Sequence, residues 1–152
     1  RDERSGEPVL SFPNATYYVN RQELEYGLAQ DGKSYEARNF SLLADAPNVV
    51  LTADDGVIGD TIRYVMTGGH CPYHQVFWIM DGAQVIFFGG DVAPQLSQLR
   101  NRFIAKYDYD GRRCMELRQR YLEQGTREGW TFLFYHDIKT PMLAPGGSQV
   151  SR

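Results

Sequence analysis

The chain has 152 residues, 42% hydrophobic and 23% charged, the size and composition of one ordinary globular domain, which argues against extended disorder. Its 16 basic and 19 acidic residues leave a net charge of −3, so there is no basic surplus for phosphate-backbone binding and nucleic acid is not expected as a partner. No apolar run approaches the roughly 20 residues of a membrane span; the longest, Val85-Ile86-Phe87-Phe88, is strand-sized.

The chain begins at Arg1 rather than Met, in a polar stretch ending at Pro8 that lacks the charged-then-apolar pattern of a signal peptide. It reads as a loop already under way, expected from the later part of a longer protein or from removal of a leading segment. Ala15 to Val19 is rich in β-formers and follows the turn pair Pro13-Asn14, so a short strand is expected. Asn20 is then placed to cap a helix, with Glu23 three residues on as the second half of a capping box, and this helix should end near Ala29. Tyr35 to Ala46 is ambiguous and partly helical at most; Pro47 closes it.

From Asn48 the character changes. Strands are expected at Val49–Thr52, Thr61–Met66, Gln75–Met80 and Gln84–Phe88, with Asp54-Asp55-Gly56 and Asp81-Gly82 as punctuators. Asp81-Gly82 between two apolar runs is a hairpin signal. The continuous apolar character of the last two strands predicts burial on both faces. A polar, Arg-rich segment follows Pro94. Arg112 to Glu128 has helical periodicity, weakened at Gly125 by up to about 1 kcal/mol, with Gly129 as a C-terminal cap. Its basic residues, Arg112, Arg113, Arg118 and Arg120, read as a solvated face. Trp130 to Tyr135 predicts a final strand, and the tail 145–152 is expected to fray. The whole reads as one α/β or α+β domain over 1–152. Cys71 and Cys114 read as free thiols of a reducing compartment, with a single bridge between them as the alternative, and a cytoplasmic location is expected.

The three histidines, His70, His74 and His136, all fall where a predicted strand meets a loop, as does Asp91 after Phe88-Gly89-Gly90. Strand-end loops on a rigid sheet commonly carry active-site residues. Imidazole and carboxylate suit zinc and related divalent ions. Taken singly, each of these residues is equally readable as a structural or merely exposed side chain.

Their order is more informative. Thr67-Gly68-Gly69-His70-Cys71-Pro72-Tyr73-His74-Gln75 precedes a hairpin, then Gly89-Gly90-Asp91, a helix, and Phe134-Tyr135-His136-Asp137. Over about residues 12–140 this succession resembles the second half of the metallo-β-lactamase-fold hydrolases, and within them the lactonase-like branch that includes acyl-homoserine-lactone hydrolases. Those proteins carry a Gly-His-x-Pro-Gly-His stretch, a hairpin, a Gly-Asp turn, a helix and a late strand ending in His. The resemblance implies the C-terminal half or more of an αββα sandwich, α/β (α+β) in class. It implies two divalent metal ions, zinc foremost, with His70 on one, His136 on the other and Asp91 bridging both. It implies a metal-bound hydroxide attacking an ester or lactone, with Asp91 the residue carrying the chemistry. His74 matches the motif's second histidine and is expected to orient a ligand rather than to be one.

Three departures stand out. Tyr73 replaces a usual glycine and is expected to pack. Cys71 replaces threonine or serine, and its side chain is expected to point away from His70. The family's leading motif, His-x-His-x-Asp-His, which supplies more than half of its ligands, is absent. The chain alone is therefore expected to bind metal weakly and to be inactive, and to need an upstream segment of the same protein or a second chain. Phe40, Phe103, Tyr107 and Tyr109 are candidates to line a substrate cleft, although most aromatics should be core. Two rival readings stay open. One is a non-catalytic binding or assembly module of the same fold. The other is a metallo-hydrolase cleaving β-lactam, thioester or phosphoester bonds. Each reading that keeps the enzyme implies a small-molecule substrate and no membrane partner.

Overall fold

Asn20 caps a helix as its position predicts: its side-chain oxygen accepts from the Glu23 N–H at 2.9 Å. The computed structural model describes residues 6, 8–32, 34–147 and 149–150. Residues 1–5, Glu7, Lys33, Ser148, Ser151 and Arg152 lie outside the described residues. Where composition suggests one domain, the chain divides into two units, Arg1–Ala53 and Asp54–Arg152.

The first unit is a β–α–β segment. β1 (Tyr17–Asn20) leads directly into α1 (Arg21–Ala29), and β2 (Val49–Thr52) returns parallel to β1 with Tyr17 opposite Val49. Leu24 and Gly27 form the buried side of α1. The ambiguous stretch contains two 3-10 turns, Ala37–Asn39 and Ser41–Ala44, and no α-helix.

The second unit is built on one seven-stranded sheet. Its strands are β3 (Gly56–Ile58), β4 (Ile62–Met66), β5 (Gln75–Asp81), β6 (Gln84–Phe88), β7 (Thr131–Leu133), β8 (Met142–Leu143) and β9 (Gln149–Val150), in that spatial order. Neighbours are antiparallel except β6 and β7, which are parallel. A parallel step needs a crossover, and α2 (Leu96–Arg100) and α3 (Gly111–Glu128) lie on it. β5 and β6 meet at Asp81 opposite Gln84, so the hairpin expected at Asp81-Gly82 turns one residue later, over Gly82-Ala83. β3 is a strand where only punctuation was expected; it is short and pairs back on β4 as a hairpin. The predicted strand over residues 130–135 contracts to Thr131–Leu133, because β6, its partner, leaves the sheet after Phe88. Within the tail, Gln149–Val150 pairs with β8.

The core lies between this sheet and α3. Val76 and Trp78 of β5, Phe87 of β6 and Phe132 of β7 point the same way, toward Cys114 and Tyr121 of α3. Phe87 is 4.7 Å from the Tyr121 ring and stacks at 5.5 Å on Trp130. Burying a side chain of that size contributes about 1.5–3 kcal/mol. The alternate residues Phe77, Ile79, Ile86 and Phe88 are half-buried, so the two faces differ more than the continuous apolar runs suggested. Gly125 is a packing requirement. A Cβ there would lie 2.8 Å from Trp130 Cε3, so the residue that weakens the isolated helix lets β7 and Trp130 approach it.

One expectation is corrected outright. Arg118 is not on a solvated basic face; it is 1% exposed. Its Nη1 donates to Val92 O at 3.1 Å and its Nη2 to Phe103 O. Both cysteines are free thiols, and Cys114 is buried. Among the described residues no helix is long and apolar enough to cross a membrane.

Candidate metal centre

The candidate residues come together because four neighbouring strands end at one edge. The loop between β4 and β5 carries His70 and His74. The 3-10 turn Gly90–Val92, directly after β6, carries Asp91. The segment leaving β7 carries His136. β4, β6 and β7 all finish at this edge and β5 starts there, as the pairs Met66–Gln75, Phe77–Phe88 and Phe88–Leu133 require.

Asp91 lies between two imidazoles. Its Oδ2 is 3.6 Å from His70 Nε2, and its Oδ1 is 3.4 Å from His136 Nε2. The three side chains face a cavity of about 370 Å³ that Pro94, Gln95 and Tyr107 also line. The Tyr107 ring meets His70 edge-on at 6.0 Å. Of the other aromatics considered for a cleft, Phe103 and Tyr109 are exposed, and Phe40 packs against Tyr35 in the first unit. Cys71 and Tyr73 are half-buried in the same loop as His70.

His74 is fully engaged elsewhere. The Asp91 N–H donates to its Nε2 at 3.0 Å, and its Nδ1 is 2.9 Å from Thr67 Oγ1. The Thr67 hydroxyl donates onward to His74 O at 2.8 Å, which leaves Oγ1 to accept from Nδ1–H. The ring is therefore neutral with its Nε2 lone pair on the Asp91 backbone, and has no free nitrogen for a metal. Gly90 makes this contact possible. Its φ is +49°, and a Cβ there would lie 2.7 Å from His74 Nε2.

Burial, with the neighbouring His70, lowers the His74 pKa from 6.5 to about 4. The sign follows: as pH falls below 6.5 the unfolded chain takes up this proton first, so stability fully present above that pH is lost on the way down to about 4. At about 1.4 kcal/mol per pH unit the loss is about 3 kcal/mol. Urea melts of the metal-free chain between neutral and mildly acid pH should show it, and His74→Gln should flatten the slope by that amount. Equal slopes in the two proteins would show that His74 does not carry it.

Two neighbours of the site were not singled out from the sequence. Tyr135, expected as the end of a strand, lies beyond it and donates its hydroxyl to Asp91 Oδ1. Its ring lies against His136, 4.0 Å between centroids. Burial and the Asp91 carboxylate push the phenol's ionisation well above its ordinary range. Asp108, in the loop before α3, places Oδ1 3.0 Å from His70 Nδ1.

The donors fit divalent cations in kind: two imidazoles and a carboxylate whose oxygens face different partners. They fall short in number. Among the described residues no three His, Cys, Asp or Glu side chains are placed to hold one ion. Two His–Asp pairs would give each of two cations two protein ligands, and zinc takes three or four.

No family model matches the sequence, and no curated protein matches it. Solved structures do. A probable metal-dependent hydrolase from Staphylococcus aureus superposes with a TM-score of 0.76 at 18% identity, over 93% of this chain and 52% of that one. AidC, a dizinc quorum-quenching lactonase in complex with its product, gives 0.70 at 16% identity, over 95% and 57%. AbOPH, a hydrolase of the beta-lactamase superfamily, gives 0.69 at 20% identity, over 96% and 54%. The chain thus has the mixed α+β fold of the metallo-β-lactamase type, and spans about half the length of the structures it matches.

Proposed function

We propose that this chain is the C-terminal portion of a metal-dependent hydrolase of the lactonase-like kind, acting on an ester or lactone. The observation that supports it best is the Asp91 carboxylate, with one oxygen toward His70 and the other toward His136, at a cavity of about 370 Å³. In this reading His70 and His136 would each hold one divalent cation, with Asp91 available as a ligand to either. An upstream segment of the same protein, or a second chain, completes both shells. Zinc and the lactone substrate are taken from the likeness to AidC. Bound there, the cations supply Lewis-acid polarisation of the substrate and lower the pKa of water.

The chain's own residues do the rest. His74 holds the Asp91 turn through its backbone N–H. Tyr135 keeps its proton across neutral pH and donates it in a hydrogen bond to Asp91 Oδ1, since burial and that carboxylate oppose its ionisation. It is therefore a hydrogen-bond donor to Asp91 and not a nucleophile. Tyr107 forms an apolar side of the cavity beside His70.

Zinc titration of the chain alone should give weak binding and no lactone ring opening. Co-expression with the coding sequence upstream of Arg1 should yield roughly two zinc ions per particle and ring opening. A particle that stays metal-free with that segment present would favour the non-catalytic module. A zinc-loaded particle inert on lactones but active on β-lactams, thioesters or phosphoesters would move the substrate class and keep the site.

A further inference from the structure

We infer that Asp108 is the positioning residue of His70: its buried carboxylate holds the proton on Nδ1 and so turns the Nε2 lone pair toward Asp91. The inference rests on the metal-centre reading above and adds to it a residue that the family's motif does not mark in this sequence.

Four observations carry it. The Asp108 side chain is 1% exposed, and its Oδ1 lies 3.0 Å from His70 Nδ1. A buried carboxylate needs a hydrogen-bond donor, and neutral imidazole can give it one only by carrying its proton on that nitrogen. The other oxygen, Oδ2, is buried without a hydrogen bond of ordinary geometry among the described residues, and the Cys114 thiol beside the carboxylate is only a weak donor, so the imidazole is the main donor holding it. The backbone fixes the pair on both sides: Tyr109 N–H donates to His70 O at 3.0 Å and Asp110 N–H to Gly69 O at 2.8 Å. Asp110 in turn accepts from the Arg113 N–H at 2.9 Å as the cap of α3. His70 is thus clamped to the start of a long, packed helix and not left on a free loop.

The consequence lies on the opposite side of the ring. With the proton on Nδ1, Nε2 presents a lone pair 3.6 Å from the Asp91 Oδ2. Two acceptors facing each other repel unless a cation lies between them. The Asp108 bond therefore converts a histidine that could satisfy Asp91 by itself, through Nε2–H, into one that needs a positive ion to do so. A carboxylate behind a ligating histidine also raises the basicity of the ligand and fixes its plane, and loss of such a partner commonly weakens metal binding by about 10–100-fold.

The test uses the chain as it is. Nitrogen-15 spectra of the histidine rings, recorded well above the imidazole titration range, should show His70 protonated at Nδ1. In Asp108→Ala that preference should be lost, and in Asp108→Asn, whose neutral amide oxygen still accepts, it should weaken; the zinc dissociation constant should rise about 10–100-fold in the alanine variant, with the amide fingerprint of the second unit retained. Wild-type His70 protonated mainly at Nε2 would overturn the inference without any variant. So would an alanine variant that binds zinc within twofold of a wild type that itself binds it. Wild-type protein with the Nδ1–H form but no affinity for zinc would sustain the role of Asp108 and count against the metal-centre reading instead.

Discussion

Replacing Asp91 with alanine should lower hydrolysis by the completed protein on the order of 10⁴-fold and reduce its zinc content below one ion per site. Among the described residues Asp91 is the carboxylate paired with both imidazoles: one oxygen lies 3.6 Å from His70 and the other 3.4 Å from His136. Its loss takes one ligand from each of two shells that already have few. His136→Ala would remove a ligand from one pair only, so its effect on metal content should be smaller. The fold should tolerate Asp91→Ala. The side chain is about one-third exposed, and the bond that anchors the turn uses the backbone N–H to His74, which alanine retains. Asp91→Asn separates charge from shape, since it keeps the hydrogen-bonding volume but brings one negative charge fewer to two cations. It should fall close to alanine in metal content and close to wild type in its urea midpoint. Unchanged turnover in Asp91→Ala would remove the mechanism.

The legible parts of this molecule are those whose signal is local. β5 and β6 announce themselves as apolar runs joined by Asp81-Gly82, and α3 as a long stripe ending at Gly129. His70, Asp91 and His136 were readable because each sits just beyond such an element. The missed parts depend on partners distant in sequence. The first turn of α2 is capped by Asp137, whose Oδ2 accepts from the Leu96 N–H at 3.1 Å, and nothing near Leu96 predicts it. β7 is shorter than its β-forming residues suggest because β6 stops beside it. Asp108 lies among exposed aromatics, and its partner is 38 residues earlier. The site edge is similar: Tyr135 reads as strand, but the sheet has ended and the chain there folds back, with Phe134 N–H donating to Pro141 O. Arg118 is a different kind of miss. It falls four residues after Cys114 and three before Tyr121, on the buried stripe of α3, so its helical position marked it as inward-facing and only its charge argued for solvent.

Replacing Arg118 with methionine should destabilise the second unit by about 3–5 kcal/mol, because its guanidinium makes two charge-assisted bonds that are each worth about 1.5–3 kcal/mol. Two effects compete. Removing a buried charge relieves its desolvation cost, and hydrophobic replacement of a buried ion pair is often neutral. That relief assumes both partners are removed. Here both acceptors are main-chain carbonyls, of Val92 and Phe103, and they remain. Val92 is wholly buried, so its carbonyl loses its donor with no water to replace it, while the half-exposed Phe103 can rehydrate. The loss of the Val92 bond should therefore dominate. Arg118→Lys tests the geometry, since one ammonium cannot span two carbonyls as a planar fork does, and its stability should fall between methionine and wild type. Urea melts of the chain would measure the order. The effect reaches the site because Val92 follows Asp91 in the same 3-10 turn, so both variants should also weaken zinc binding, methionine more than lysine. Stability within about 1 kcal/mol of wild type in Arg118→Met would show that the buried guanidinium is not what holds the Asp91 turn against α3.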